Sequence, residues 1–79
     1  MKKRRYFLRL GDDPVEDAEP HNTLKDATLA YKEVADELDQ YGQPIEASIH
    51  IAPSKLKIDE YPDYVLSLGP RGGVRVDRT

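Results

Sequence analysis

Hydrolytic chemistry in this chain would use serine and histidine, and a metal site would use histidine and carboxylates, since cysteine is absent. Ser48 and His50 alternate with isoleucines and so lie on one face of a predicted strand. At about 3.3 Å per residue they stand about 6.6 Å apart, and Glu46 stands about 13 Å from His50. A nucleophile needs its base within hydrogen-bond reach, and metal ligands must converge on one ion. We therefore predict ordinary outward-facing polar residues, no enzyme activity, no metal site and no cofactor.

The glycine-rich run 69–73 resembles a phosphate-binding loop in composition. A phosphate-binding loop precedes a helix N-terminus, whose backbone amides hold the anion. This run precedes Val74-Arg75-Val76, which alternates as a strand does. The pattern therefore predicts a hairpin turn.

Basic residues are concentrated at the start of the chain. Residues 1–10 contain five basic and no acidic residues, and 69–79 contain three arginines and one aspartate. A sheet face carrying Arg5, Phe7, Arg9 and Arg75 could stack on bases and contact phosphates. The chain as a whole is acidic, with a pI near 5.3, whereas a nucleic-acid footprint usually raises the pI. Nucleic-acid binding through this basic face is therefore the alternative function.

Acidic residues are concentrated in the segment 11–40, which contains ten of them against two lysines. Several lie near the predicted end of a helix, where the helix dipole favours cations, and no basic residue follows to offset them. Locally unfavourable placements of this kind often mark functional surfaces. The predicted partner-binding residues are those of the acidic loop and the helix end: Asp12, Asp13, Glu16, Asp17, Glu33, Asp36, Glu37 and Asp39.

A helix over 24–40 must position half of these acids. Apolar residues recur there at intervals of three and four, which gives one apolar face. Asn22 and Thr23 are candidate N-cap residues, with Asp26 three positions after Thr23. Gly42 predicts the end of the helix, because glycine adopts the left-handed conformation at little cost.

Alternating patterns predict strands at about 4–10, 44–52, 64–68 and 74–76, with 55–59 as an optional short strand. The segment 11–22 is predicted to be a long loop. The element order is then β-α-β-β-β, an α+β fold with one helix on one face of a mostly antiparallel four-stranded sheet. At 79 residues the chain is predicted to form a single domain.

One helix covers one sheet face, so the opposite face is predicted to be open. A domain this small gains stability by burying such a face against a second copy. The predicted dimer or second surface comprises Arg5, Phe7, Arg9, Val65 and Arg75.

Targeting and membrane segments are not evident in the sequence. Lys2-Lys3-Arg4-Arg5 is followed by three apolar residues before Arg9, whereas a signal peptide needs a longer apolar run. No run approaches the length of a membrane span. The expected location is the cytoplasm of a bacterial host cell, without membrane association.

Two resemblances bear on function. Residues 6–12, Leu24-Lys25-Asp26-Ala27 and Leu66-Ser67-Leu68 resemble small proteobacterial proteins of β-α-β-β order. In size, single-helix architecture and charge segregation, the chain is also similar to anti-CRISPR proteins of phages. That resemblance implies a non-enzymatic inhibitor that blocks a CRISPR surveillance complex by occlusion, with a basic protein surface as partner.

Overall fold

The computed structural model describes residues 5–11, 13–43, 45–59, 61–69 and 73–79. Three parts of the sequence predictions lie outside these residues. They are the basic residues 2–4, the predicted partner-binding residue Asp12, and the tip of the predicted turn, 70–72. The secondary structure follows the order β1 (Arg5–Leu10), β2 (Glu19–His21), α1 (Leu24–Gln40), β3 (Ala47–Ala52), β4 (Tyr64–Leu68) and β5 (Val74–Arg78). Two 3₁₀ turns, Val15–Asp17 and Lys55–Lys57, lie in the connections.

Helix α1 begins and ends where the sequence predicts. The Thr23 side chain accepts a hydrogen bond of 3.1 Å from the Asp26 backbone N–H, which caps the first turn. At the other end, Gly42 has a φ of 71°, and its N–H donates to the Asp39 carbonyl. The Gln43 N–H donates to the Leu38 carbonyl, which completes a Schellman motif. Both ends of the helix are thus fixed by local sequence.

Replacing Gly42 with alanine is expected to lower the free energy of unfolding by about 1–2 kcal/mol, the cost of a left-handed conformation for a residue with a Cβ. A Cβ at Gly42 would meet no atom within 4 Å, so this cost is one of backbone conformation only. Gly73→Ala is the control, because Gly73 lacks a positive φ and also has open space around its Cα. Urea unfolding of the two variants checks the prediction, and equal stability would contradict it.

The strands form one antiparallel sheet in the order β2-β1-β3-β4-β5. This confirms the α+β class, with five strands where the sequence predicts four. The additional strand, β2, lies in the segment predicted to be a loop and pairs with β1, with Tyr6 opposite His21. Its three residues include Pro20 and have no alternating apolar pattern, so its extended conformation comes from pairing with β1.

The main core lies between α1 and one face of the sheet. Tyr31, Ile49 and Leu66 are fully buried there, and Ala27 and Ala35 allow the helix to approach the strands closely. The Tyr31 hydroxyl donates a 2.5 Å hydrogen bond to the Ile45 carbonyl, just before β3. Tyr41 continues the apolar spacing of three and four residues in the sequence, but it caps the helix and is 73% exposed.

The opposite face of the sheet is not open as predicted. Phe7 is only 3% exposed and packs with Ala18 and Ala52 in a second apolar cluster, against which the half-buried Ile58 also packs. Ala18 follows the first 3₁₀ turn and Ile58 follows the second, so two irregular segments cover the strands β1 and β3. The predicted strand at 55–59 was wrong, because residues 55–57 form a 3₁₀ turn.

Candidate functional site

The exposed acids of α1 form the first candidate surface. We call the exposed residues Glu33, Glu37 and Asp39 the acidic helix face. Glu33 and Glu37 lie one turn apart on one side of the helix, and Asp39 lies on another side, near the end of the helix. The last turn of the helix, which is described throughout, contains no basic residue. Its negative charges therefore add to the partial negative charge of the carbonyl end of the helix. The result is a region of negative potential that nothing within that turn offsets.

Asp36 was also predicted to be a partner-binding residue, but it forms an ion pair within the helix. Its carboxylate lies 2.8 Å from the Lys32 ammonium group, one turn earlier, and both side chains are half-exposed. An ion pair of this kind contributes a few tenths of a kcal/mol and largely neutralises the local charge. Asp36 therefore adds less to a partner surface than Glu33, Glu37 and Asp39.

The acids of the segment before β2 form a second group. Asp13, Glu16 and Asp17 are exposed, and the two latter lie in the first 3₁₀ turn. The Lys55 ammonium group donates a 2.7 Å hydrogen bond to the Glu16 carbonyl, which ties this turn to the second one. Because Ala18 packs on the sheet face opposite α1, the sheet separates this anchor from the helix. The predicted acids thus belong to two groups, and Asp12 lies outside the described residues.

The predicted basic face loses its aromatic residue. Phe7 is buried, so it is not available to stack on a base or to contact a second copy. Arg5 is exposed, whereas Arg9 and Val65 are only partly so. The Arg75 guanidinium lies 3.0 Å from the Asp77 carboxylate on the same strand. The expectation of an exposed Phe7 was wrong because the sequence does not show that irregular segments cover β1.

Ser48 and His50 are in contact beneath this cover. Ser48 Oγ lies 3.4 Å from His50 Nε2, although neighbouring positions on one strand face stand about 6.6 Å apart. The side chains lean toward each other, and this brings the two atoms into contact across that spacing. His50 is 1% exposed and Ser48 is 7% exposed, so neither is an outward polar residue. The pair has the composition of a nucleophile and base, but it is enclosed and no cavity adjoins it within the described residues.

Burial sets the protonation state of His50. Removal of water lowers the pKa of His50 below its ordinary 6.5, and the Arg9 guanidinium lowers it further. The backbone of Asp59 and Tyr61 and the Asp63 carboxylate partly oppose this decrease in pKa. Among the described residues, His50 Nδ1 has no hydrogen-bond partner. At neutral pH and above, the folded state therefore holds a neutral imidazole.

The free energy of unfolding is expected to fall as the pH drops below about 6.5, the ordinary pKa of histidine. The unfolded chain then takes up a proton that folded His50 resists, so stability declines until the folded pKa is reached. The decline is at most about 1.4 kcal/mol per pH unit for one proton. Urea unfolding at about pH 7.5 and about pH 5.5 measures it.

The control for this pH dependence is the other histidine. His50→Gln should flatten the decline between these two pH values, because glutamine does not titrate. His21→Gln should retain it, since His21 lies on β2, away from the enclosed Ser48 contact. An unchanged decline in His50→Gln would contradict the assignment.

The described residues contain no group of three or more His, Asp or Glu placed to hold a metal ion. No helix among them is long and apolar enough to cross a membrane. Sequence reasoning missed the enclosed Ser48–His50 contact. The available indications were apolar residues, among them Ala18 and Ile58, within largely polar connections.

Comparison with protein-family models, with curated proteins and with solved structures finds no match to this chain.

Proposed function

We propose that this chain is a non-enzymatic binding protein that docks on a basic protein surface through the acidic helix face. The observation that carries the proposal is the exposed Glu37 and Asp39 in a last turn without a basic residue. Each such charge costs about 0.3–1 kcal/mol at an exposed helix C-terminus. Single substitutions of these acids would remove this cost in stability. Their presence is explained if they contribute to binding.

Electrostatic complementarity indicates the class of partner. A cluster of carboxylates is attracted to surfaces rich in lysine and arginine, and long-range attraction accelerates the encounter. Surfaces that hold nucleic acid have this character, since they neutralise phosphates with the same residues. Carboxylates presented along a rigid helix would compete with phosphates for such a surface. The proposed action is therefore occlusion of a nucleic-acid site.

In its most concrete form, the proposal is an inhibitor of the anti-CRISPR type, encoded by a phage and acting in the cytoplasm of the bacterial host. This form of the proposal is supported by the small size, the single helix on a sheet and the segregated charge. The resemblance to anti-CRISPR proteins depends on the same three features. Asp13, Glu16 and Asp17 would provide a second acidic contact on the other side of the sheet.

The experiment is a gel mobility assay with a panel of purified, guide-loaded CRISPR surveillance complexes and their target DNA duplexes. Increasing amounts of the chain should prevent DNA binding by at least one complex. The effect should weaken at high salt, because screening reduces the attraction between exposed charges. If every complex in the panel bound its DNA unchanged, this form of the proposal would be wrong.

A further inference from the structure

The edge strand β5 lies outside the acidic helix face and has an open side. It is five residues long, and among the residues that the structure describes it pairs only with β4. Most of its side chains are exposed, and Val76, on the helix side, is 40% exposed. The opposite edge, β2, has three residues and includes Pro20, which has no N–H to donate. Of the two edges, β5 is therefore the one suited to pair with another strand.

The pairing with β4 fixes which backbone groups of β5 point outward. Gly69 N–H donates a 2.7 Å hydrogen bond to the Gly73 carbonyl at the start of this ladder. Hydrogen-bonded and non-hydrogen-bonded pairs alternate along an antiparallel ladder. The register therefore directs the backbone of Arg75 and Asp77 toward β4. The N–H and C=O groups of Val74, Val76 and Arg78 consequently face the open edge.

The charge pattern of β5 is self-complementary about Val76. We propose that two copies of this chain associate through their β5 strands, antiparallel, with the two-fold axis at Val76. In that register the outward-facing backbone of Val76 pairs with the same residue of the second copy. Arg75 of each copy then lies opposite Asp77 of the other, as a non-hydrogen-bonded pair whose side chains are close.

The neighbouring registers are unfavourable. A register shifted by two residues in one direction places Arg75 opposite Arg75, and in the other direction it places Asp77 opposite Asp77. Like charges directly opposite one another destabilise a strand pair. Registers shifted by a single residue bring outward backbone groups opposite inward ones and forfeit the ladder hydrogen bonds. The alternation of Arg75, Val76 and Asp77 thus selects one pairing.

Charge exchange at Arg75 and Asp77 tests the proposal by sedimentation over a concentration series. The wild-type mass should rise from 9.0 kDa toward twice that value as concentration increases. Arg75→Asp alone or Asp77→Arg alone should each weaken self-association about tenfold or more, because both place like charges opposite each other. An equimolar mixture of the two variants should associate again, and so should the double variant that exchanges both residues.

The controls separate this pairing from other effects. Asp77→Arg brings the net charge of −3 closer to zero, so general repulsion between molecules would predict stronger association rather than weaker. Each variant should fold as the wild type does, because Arg75 and Asp77 are exposed. Circular dichroism checks this. A wild-type chain that stays monomeric throughout, or single variants that associate as strongly as wild type, would overturn the proposal. Neither result would bear on the acidic helix face.

Discussion

Replacing Tyr31 with alanine is expected to lower the free energy of unfolding by about 3–5 kcal/mol, the range for removing a large buried aromatic side chain. Tyr31 is fully buried in the main core, and its hydroxyl donates to the Ile45 carbonyl at 2.5 Å. Burial raises the pKa of Tyr31, and the nearby Glu46 carboxylate adds to the increase, so the phenol remains a donor. A domain of 79 residues has a total stability of about 4–12 kcal/mol. The loss is therefore a large fraction of the total.

Two further variants separate the contributions at this position. Tyr31→Phe keeps the ring and leaves the Ile45 carbonyl without its donor, so a loss of about 1–3 kcal/mol is expected. Tyr41→Ala is the matched control, because Tyr41 is 73% exposed and its loss should change stability by about 0.5 kcal/mol or less. Urea unfolding followed by circular dichroism ranks the three variants. A Tyr31→Ala variant as stable as Tyr41→Ala would contradict the described core.

Replacing Glu37 and Asp39 together with lysine is expected to weaken partner binding about 10- to 100-fold, which corresponds to about 1.4–2.7 kcal/mol. The same double variant should be more stable than wild type, because cations at a helix C-terminus contribute about 0.3–1 kcal/mol each. Both residues are exposed, so the core is unaffected. A loss of binding together with a gain in stability distinguishes a functional surface from a structural one.

The matched control for this variant reverses two other exposed acids. Glu19→Lys combined with Asp59→Lys makes the same change in net charge at two exposed acids outside α1. This control should leave binding nearly unchanged, apart from a small effect of net charge on the association rate. Binding is measured as the concentration of chain that displaces DNA from a responsive surveillance complex. Equal losses in the two double variants would show that overall charge, rather than the acidic helix face, determines binding.

The elements with strong local patterns could be predicted from the sequence. Helix α1 has periodic apolar residues, the Thr23 cap and Gly42, and these interactions lie within a few residues of one another. Strands β3 and β4 alternate clearly because one face of each packs against the helix. Each of these patterns depends on local contacts or on the face that packs against the helix.

The remaining features depend on contacts that are distant in sequence. Strand β2 forms because β1 offers it an open edge, and Pro20 hides it in the sequence. The burial of Phe7 depends on Ala18 and Ile58, which lie in irregular segments without periodicity. The contact between Ser48 and His50 follows from that same cover, because enclosed polar side chains turn toward each other rather than toward water.

For the candidate surfaces, exposure of Glu33 and Glu37 follows from the helical period, so these two could be placed from the sequence. Asp39 lies four residues after the buried Ala35, and it is exposed near the end of the helix. The ion pair between Lys32 and Asp36 also follows from their spacing of four residues. The outward direction of the β5 backbone required the register with β4, which the sequence does not specify.

The central claim, occlusion of a nucleic-acid site, is tested most directly by comparing two states of one responsive surveillance complex. Binding of the chain is measured by calorimetry to the guide-loaded complex before and after saturation with its target DNA. The account predicts binding to the DNA-free complex and loss of that binding once DNA occupies the site. Equal affinity for the two states would contradict occlusion.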